Sequence, residues 1–378
     1  LGGLGPFVSP YPRPLKRLGL ALALALLTIL LAVAFLTRPT FQSPTGPRQG
    51  GTTTARPANA VTYPSNTLPL QVGIHVKNIY NLELERQTFS ADGWYWLLWD
   101  QRLQEVIERE NIAIDKLVEF TNQVETWDSR IEPESGQPER TPDGSYSQIF
   151  RFSARFYIES FDLHDSPFEV IQLPLVIETR PEVFSLARQG VRLEPAPNLL
   201  KLIGDYADLA GYSLKTGNLQ QRVNLYDAYG THTNRAFSQL VLKVVYGSNV
   251  LAAFTKWVLP LMIVMIIVLL APSLEGSLGE IRLAIPSTAI LSLVFLQQTY
   301  RSELPATPYP TFLDQLYAYS YVVAVGLFVL FVWSSNLFES TPPHQQERVR
   351  QRINRIDALC QRGACVGLGI WAVLAWLL

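Results

Sequence analysis

Apolar residues change their spacing several times along the chain, and each change predicts a different element. Residues 18–36 form an uncharged apolar run behind Arg13, Lys16 and Arg17, and Ala32-Val33-Ala34 has the small-x-small spacing of a cleavage site. Residues 1–36 therefore read as a secretory signal peptide, with an uncleaved N-terminal anchor as the alternative. Residues 37–69 are dense in Pro, Thr, Gly and Ser, a composition that cannot bury a core, and they predict a disordered linker.

From Leu70 the period becomes two. Leu70, Val72, Ile74 and Val76 alternate with Gln71, Gly73, His75 and Lys77, and Phe150, Phe152, Ala154, Phe156 and Ile158 alternate with Arg151, Ser153, Arg155 and Tyr157. Alternation of this kind puts the apolar side chains on one face of a half-buried strand. Further strand-like runs occupy 88–99, 170–177 and 240–246, with turn signals such as Pro142-Asp143-Gly144 between them. Residues 70–249 are expected to fold as a two-sheet, immunoglobulin-like β-sandwich. Only 100–122 depart from the pattern, with an apolar spacing that also fits a helix.

Beyond residue 249 the apolar runs reach membrane length, and residues 250–378 predict a four-helix transmembrane domain. Residues 250–271 carry one charge, Lys256, and 316–338 carry none. The last run, 364–378, is short for a ~30 Å hydrocarbon core. Four spans place the 339–363 loop, with Arg348, Arg350, Arg352, Arg355 and Arg362, in the cytoplasm and the β-sandwich outside.

The second span, 279–301, is too polar to face lipid all round. Wound as a helix, Ala284, Thr288, Leu291, Phe295 and Gln298 recur at steps of four, three, four and three, so they share one stripe. An apolar middle with polar ends suits the wall of a gated pore. It equally suits a buried bundle helix whose Ser and Thr hydroxyls bond to backbone carbonyls.

Composition narrows the remaining classes. A net charge of -1 gives no reason to expect a nucleic acid partner. The two cysteines, Cys360 and Cys365, lie outside the β region, lack nearby His partners and read as helix-packing residues, so neither a disulfide nor a metal site is expected. Four scattered His, with no Gly-rich phosphate loop and no nucleophile motif, predict neither catalytic residues nor a cofactor.

Several strings, taken in order, resemble the pentameric ligand-gated ion channels of the Cys-loop receptor superfamily, particularly the prokaryotic members. Pro142-Asp143-Gly144, then Arg151-Phe152-Ser153-Ala154-Arg155, then Phe161 through Glu169 look like the bacterial form of the signature loop. Glu159 and Leu173 stand where the eukaryotic cysteines would fall. Thr88 to Asp92 and the aromatic run Trp94 to Trp99 resemble the second strand. Gly279-Glu280, Leu291-Ser292-Leu293, Leu304-Pro305 and Thr307-Pro308-Tyr309 resemble the pore helix and its outer loop. The match runs over about residues 70–378 and rests on order and spacing.

This resemblance implies a homopentamer in the bacterial inner membrane, its β-sandwich in the periplasm, opening a cation-preferring pore to a small-molecule agonist or to protons. Glu280 would form the selectivity ring for monovalent cations, Leu291 and Phe295 the hydrophobic gate, and Ala284, Thr288 and Gln298 the rest of the pore wall. Asp165, Pro167, Phe168 and Glu169 would meet Leu304, Pro305 and Tyr309 to couple sandwich to pore. Trp96, Trp127, Arg180, Tyr226 and Tyr229 would contribute to the agonist site, where an Arg in place of the family's aromatic favours a carboxylate. The chain departs from the family pattern at Pro286 inside the pore helix and in having no Arg before the first span, where Lys243 is a weak substitute; Leu293 stands where one proton-activated bacterial relative has a pore-helix His. A non-conducting membrane-anchored sensor or binding protein remains the alternative.

Overall fold

The computed structural model describes residues 67–159, 161–180, 190–197, 201–229, 232–276 and 278–377 and the backbone of 53–57; the side chains of 227–235 fall outside it. The targeting segment 1–36 lies outside the described residues. Two compact units emerge, a β unit of Ser43–Asp162 and Val170–Asn249 and a helical unit that combines Val250–Leu378 with the loop Leu163–Glu169.

The β unit contains β1 (Thr53–Pro57), β2 (Leu68–Glu83), β3 (Thr88–Trp99), helix α1 (Gln101–Arg109), β4 (Val118–Phe120), β5 (Gln123–Val124), β6 (Arg130–Pro133), β7 (Glu139–Arg140), β8 (Tyr146–Tyr157), β9 (Val170–Thr179), β10 (Val191–Pro195), β11 (Ile203–Tyr206), β12 (Tyr212–Tyr229) and β13 (His232–Ser248). One sheet has the order β1-β12-β13-β9-β4. The other runs β10-β2-β3-β8-β5, with β11 added to β2, and β6 and β7 to β8. The two sheets share one core. Leu70, Val72, Ile74 and Val76 of β2 and Phe150, Phe152 and Phe156 of β8 are buried in it with Leu173 and Leu175 of β9 and Leu240, Leu242 and Val244 of β13. These are the inward positions that the alternation predicts. Tyr95 stacks on Phe150 at 4.9 Å and meets Phe120 edge-on at 5.6 Å, in the offset and T-shaped geometries that aromatic quadrupoles favour.

The disordered linker expected over 37–69 needs correction. Thr53–Pro57 forms an edge strand paired antiparallel with Tyr226 to Arg222 of β12, and β2 begins at Leu68. Two consecutive threonines have the β-branched stiffness that suits a strand. Pro57 ends it at a sheet edge, where a missing N–H is tolerated. The ambiguous stretch 100–122 divides. Asp100 caps α1 by accepting from the Leu103 N–H at 3.0 Å, Leu103, Val106 and Ile107 are buried at helical spacing, and the chain then turns into β4.

Asn122 ties the two sheets together. Its Nδ2 donates to the carbonyls of Tyr157 (2.9 Å) and Pro174 (2.8 Å), and its Oδ1 accepts from Val176 N–H (3.0 Å). Asn122→Ala takes a partner from three backbone groups, of which the Val176 N–H is buried, and is expected to cost about 2 kcal/mol. Thermal unfolding of the solubilised chain tests this, and an unchanged midpoint would show that water replaces the bonds.

The helical unit contains four helices long and apolar enough to cross a membrane: α2 (Val250–Ser273), α3 (Gly279–Arg301), α4 (Phe312–Glu339) and α5 (Gln346–Leu377), the last extended by a turn from Pro343. The ring of Pro260 cannot fit behind an ordinary helical turn, and α2 widens over Phe254–Val258 immediately before it. Thr311 and Asp314 form a reciprocal capping box at the start of α4.

The fourth span corrects the sequence reading. Residues 346–363, expected to be loop, are the first half of a continuous 32-residue helix. Ile353, Asp357, Gln361 and Cys365 recur every four residues and are buried on one side of α5, whereas Cys360 is exposed, so only one cysteine packs.

Candidate functional site

The polar second span is α3, and its two sides have different surroundings. Arg282, Pro286, Ala289, Leu293 and Tyr300 are buried against the rest of the helical unit. Glu280, Ala284, Thr288, Leu291, Phe295 and Gln298 lie on the opposite, exposed side. Leu291 is 57% exposed and Phe295 65%, large apolar side chains that nothing among the described residues covers. Pro286 leaves the helix continuous, its ring on the buried side, and the stripe keeps its register. The hydroxyls of Ser287, Ser292 and Thr299 donate to the carbonyls four residues back at 2.8, 3.0 and 2.9 Å. That satisfies them at membrane depth without another helix.

Arg282 does not share the face of Glu280. Its guanidinium donates to Asp357 Oδ2 of α5 at 2.6 Å and lies over the Phe331 ring of α4 at 4.3 Å. Both charged side chains are only 1% exposed. Below them Gln361 donates to Leu269 O (2.7 Å) and Ser273 Oγ (3.0 Å), so a polar seam holds α5 against α2 and α3. A run with a buried Asp and Gln among arginines reads as a loop on hydropathy. The four-residue recurrence from Ile353 to Cys365 was the signal that exposes it.

At the other end of α3 the loop Leu163–Glu169, which joins strands β8 and β9, packs within the helical unit. Phe312 and Leu313 N–H donate to the carbonyls of His164 (2.7 Å) and Ser166 (3.3 Å). Leu163 N–H donates to the Tyr309 hydroxyl at 3.1 Å, and the His164 and Tyr309 rings stack at 3.7 Å. Phe168 meets Phe312 and Trp376, and the Ser166-Pro167 bond is cis. Pro167, Glu169, Leu304 and Pro305 are buried and Asp165 is exposed. Arg301 pairs with Asp314 at 2.7 Å, joining the end of α3 to the start of α4. Phe312 was not singled out in the sequence, because the N–H through which it holds this loop leaves no side-chain signature.

The candidate agonist residues do not converge on one cavity. Arg180 lines a recess of about 150 Å³ with Tyr95, Asp115, Lys116, Glu119 and Phe120. Its Nε has no hydrogen-bond partner among the described residues, and the nearest carboxylate, Glu119, is 3.7 Å away. Trp96 is in mid-strand, within the run 88–99 that the alternation predicts. Its ring lies across Gly73 of β2, where a Cβ would come within 2.0 Å of it. Trp127 is 85% exposed. Tyr229 pairs with His232 at the β12–β13 hairpin, and its side chain lies outside the described residues. Lys243 sits within β13, paired with Pro174 and Asn218.

Tyr226 belongs to a cluster that the sequence did not reveal. Its hydroxyl donates to Glu178 Oε1 at 3.1 Å, and Gln239 and Asn224 donate to Oε2 at 2.5 and 3.4 Å. Glu178 is fully buried, and among the described residues only neutral groups bond to it. Burial pushes its carboxyl up to about 7, opposed by the three hydrogen bonds and assisted by the charge of Glu119. Burial also raises the Tyr226 hydroxyl, reinforced by Glu178.

Comparison with protein-family models gives no match, and comparison with the curated proteins gives none either. The chain has a β-rich domain followed by four membrane-length helices, the architecture of a multi-pass membrane protein.

Proposed function

We propose that this protein is an effector-gated ion channel of the pentameric ligand-gated type, with an immunoglobulin-like sensing domain outside the cytoplasm and α3 lining a cation-preferring pore. The observation that carries the reading is the bare side of α3. A membrane helix that leaves Glu280, Ala284, Thr288, Leu291, Phe295 and Gln298 exposed on one side needs either lipid or water there. A carboxylate at one end and an amide at the other argue for water. Five copies around an axis give that water a path. Leu291 and Phe295 would be its dry constriction, and the Glu280 carboxylates a ring attractive to cations.

The hydrogen-bonded contact between Leu163–Glu169 and the start of α4 supplies a mechanical link, since both ends of that loop continue into strands. The arginines of α5 on the cytoplasmic side orient the bundle, so Glu280 lies at the cytoplasmic mouth. The recess beside Arg180 fits a small ligand bearing a carboxylate. Protons are the second candidate effector, favoured by the buried Glu178. The reading includes no catalysis.

The test is direct. Mass measurement of the detergent-solubilised assembly should give five copies, and protein in liposomes should pass current when exposed to small carboxylates or acid. Glu280→Gln is expected to move the reversal potential under a salt gradient toward zero, with cation preference falling severalfold. A conducting Glu280→Gln assembly with wild-type selectivity would remove Glu280 from the filter. Monomers that never conduct would favour a sensor anchored by its helices.

A further inference from the structure

We infer that Arg282 and Asp357 are positioning residues for the charge at the mouth of α3: their buried pairing keeps a guanidinium from cancelling Glu280. The inference rests on the channel reading for its role in selectivity, and on geometry for its electrostatics. Arg282 follows Glu280 by two residues, about 200° around a helix, which by itself leaves a long, flexible side chain free to curl back toward the mouth. Three contacts from outside α3 prevent this. Asp357 of α5 takes the guanidinium at 2.6 Å, Phe331 of α4 lies beneath it at 4.3 Å, and Ile353 with Gly276 closes the same pocket.

The pair is electrically neutral as a unit. Each copy of the chain thus contributes one uncompensated negative charge at this end of the exposed face. With Arg282 turned outward, five carboxylates would stand among five guanidinium groups, and the ring would have no sign.

Stability alone is a poor explanation for the pair. Arg282 Nε and Asp357 Oδ1 are buried with no hydrogen-bond partner among the described residues. A buried ion pair with unmet hydrogen-bonding groups is commonly no better than apolar residues of the same volume. What apolar residues cannot replace, in a helix that carries an Arg at this position, is the neutralisation of its charge.

The experiment reads the potential beside Glu280 without needing current. Ala284→Cys, one turn along the exposed face, is placed in full-length protein with Cys360 and Cys365 changed to Ser, reconstituted in liposomes. The rates of labelling by a cationic and an anionic methanethiosulfonate reagent are then compared. Asp357→Asn leaves the Arg282 charge unmatched and is expected to lower the cation-to-anion rate ratio about tenfold. Arg282→Met with Asp357→Leu removes both charges and is expected to keep the parent ratio within about twofold. Should Asp357→Asn fail to insert, the double variant decides. An unchanged ratio supports the inference, and a ratio raised tenfold shows that Arg282 already acts at the mouth and overturns it.

An inserted Asp357→Asn variant with the parent ratio also overturns it. Current in the same liposomes separates the two readings. Protein that conducts nothing but shows these ratios loses the pore and keeps the positioning pair. Protein that conducts, with a ratio indifferent to Asp357→Asn, loses only the pair.

Discussion

Liposomes carrying Leu291→Ala are expected to leak cations at rest, without effector. Leu291 is 57% exposed on the bare side of α3, and a ring of such side chains holds a narrow pore closed by making it too apolar to wet. Truncation to Ala removes about three carbons from each copy. If the closed state loses only about 1 kcal/mol of apolar contact per copy, five copies lose about 5 kcal/mol. A shift of that size moves a closed-to-open ratio by roughly three to four powers of ten. Leu293→Ala provides the control, because Leu293 is fully buried on the other side of the same helix. It should lower thermal stability by about 2–5 kcal/mol and leave resting flux alone. Equal resting flux from wild type and Leu291→Ala in a verified pentamer would place the gate elsewhere.

The second large effect is a pH dependence of stability that Glu178→Gln flattens. The ordinary carboxyl value is 4.5, and burial raises Glu178 to about 7. Between these values the folded chain keeps a proton that the unfolded chain has released. This contribution is complete below pH 4.5, falls as pH rises toward 7, and is lost above it. The full span is worth about 3 kcal/mol at roughly 1.4 kcal/mol per unit. Gln cannot ionise, and it retains an oxygen for the Gln239 and Asn224 amides and an NH₂ for the Tyr226 oxygen. The solubilised wild type should therefore melt at a lower temperature at pH 8 than at pH 5, with that dependence much flattened in Glu178→Gln. Parallel curves for the two proteins would show that the carboxylate is already ionised at low pH. The same protonation step lies in the range where an acid-sensing channel would respond, so the variant also tests protons as effector.

Most of the β unit could be read from alternation, because burial of one strand face obliges apolar residues to recur at every second position, as from Leu70 to Val76 and from Phe150 to Phe156. Spacing likewise identified the α3 stripe, whose members the structure leaves exposed. Three things were illegible for physical reasons. Glu178 follows Leu175, Val176 and Ile177 in β9, and nothing local marks a carboxylate whose partners come from β12 and β13. The first half of α5 looked like a cytoplasmic loop because its buried side pairs Asp357 with Arg282, a residue 75 positions away. The strand Thr53–Pro57 has no core to announce it and is held by pairing with β12. Where burial is apolar and local, pattern reveals it. Where burial is polar, the partner must be known first.

The loop Leu163–Glu169 meets the start of α4 partly through peptide groups: the N–H of Phe312 and of Leu313 donate to the carbonyls of His164 and Ser166. Main-chain bonds of this kind do not depend on which side chain a position carries, provided that it is not proline. Truncating the side chain of Phe312 or Leu313 therefore spares these two bonds, whereas proline at either position removes one.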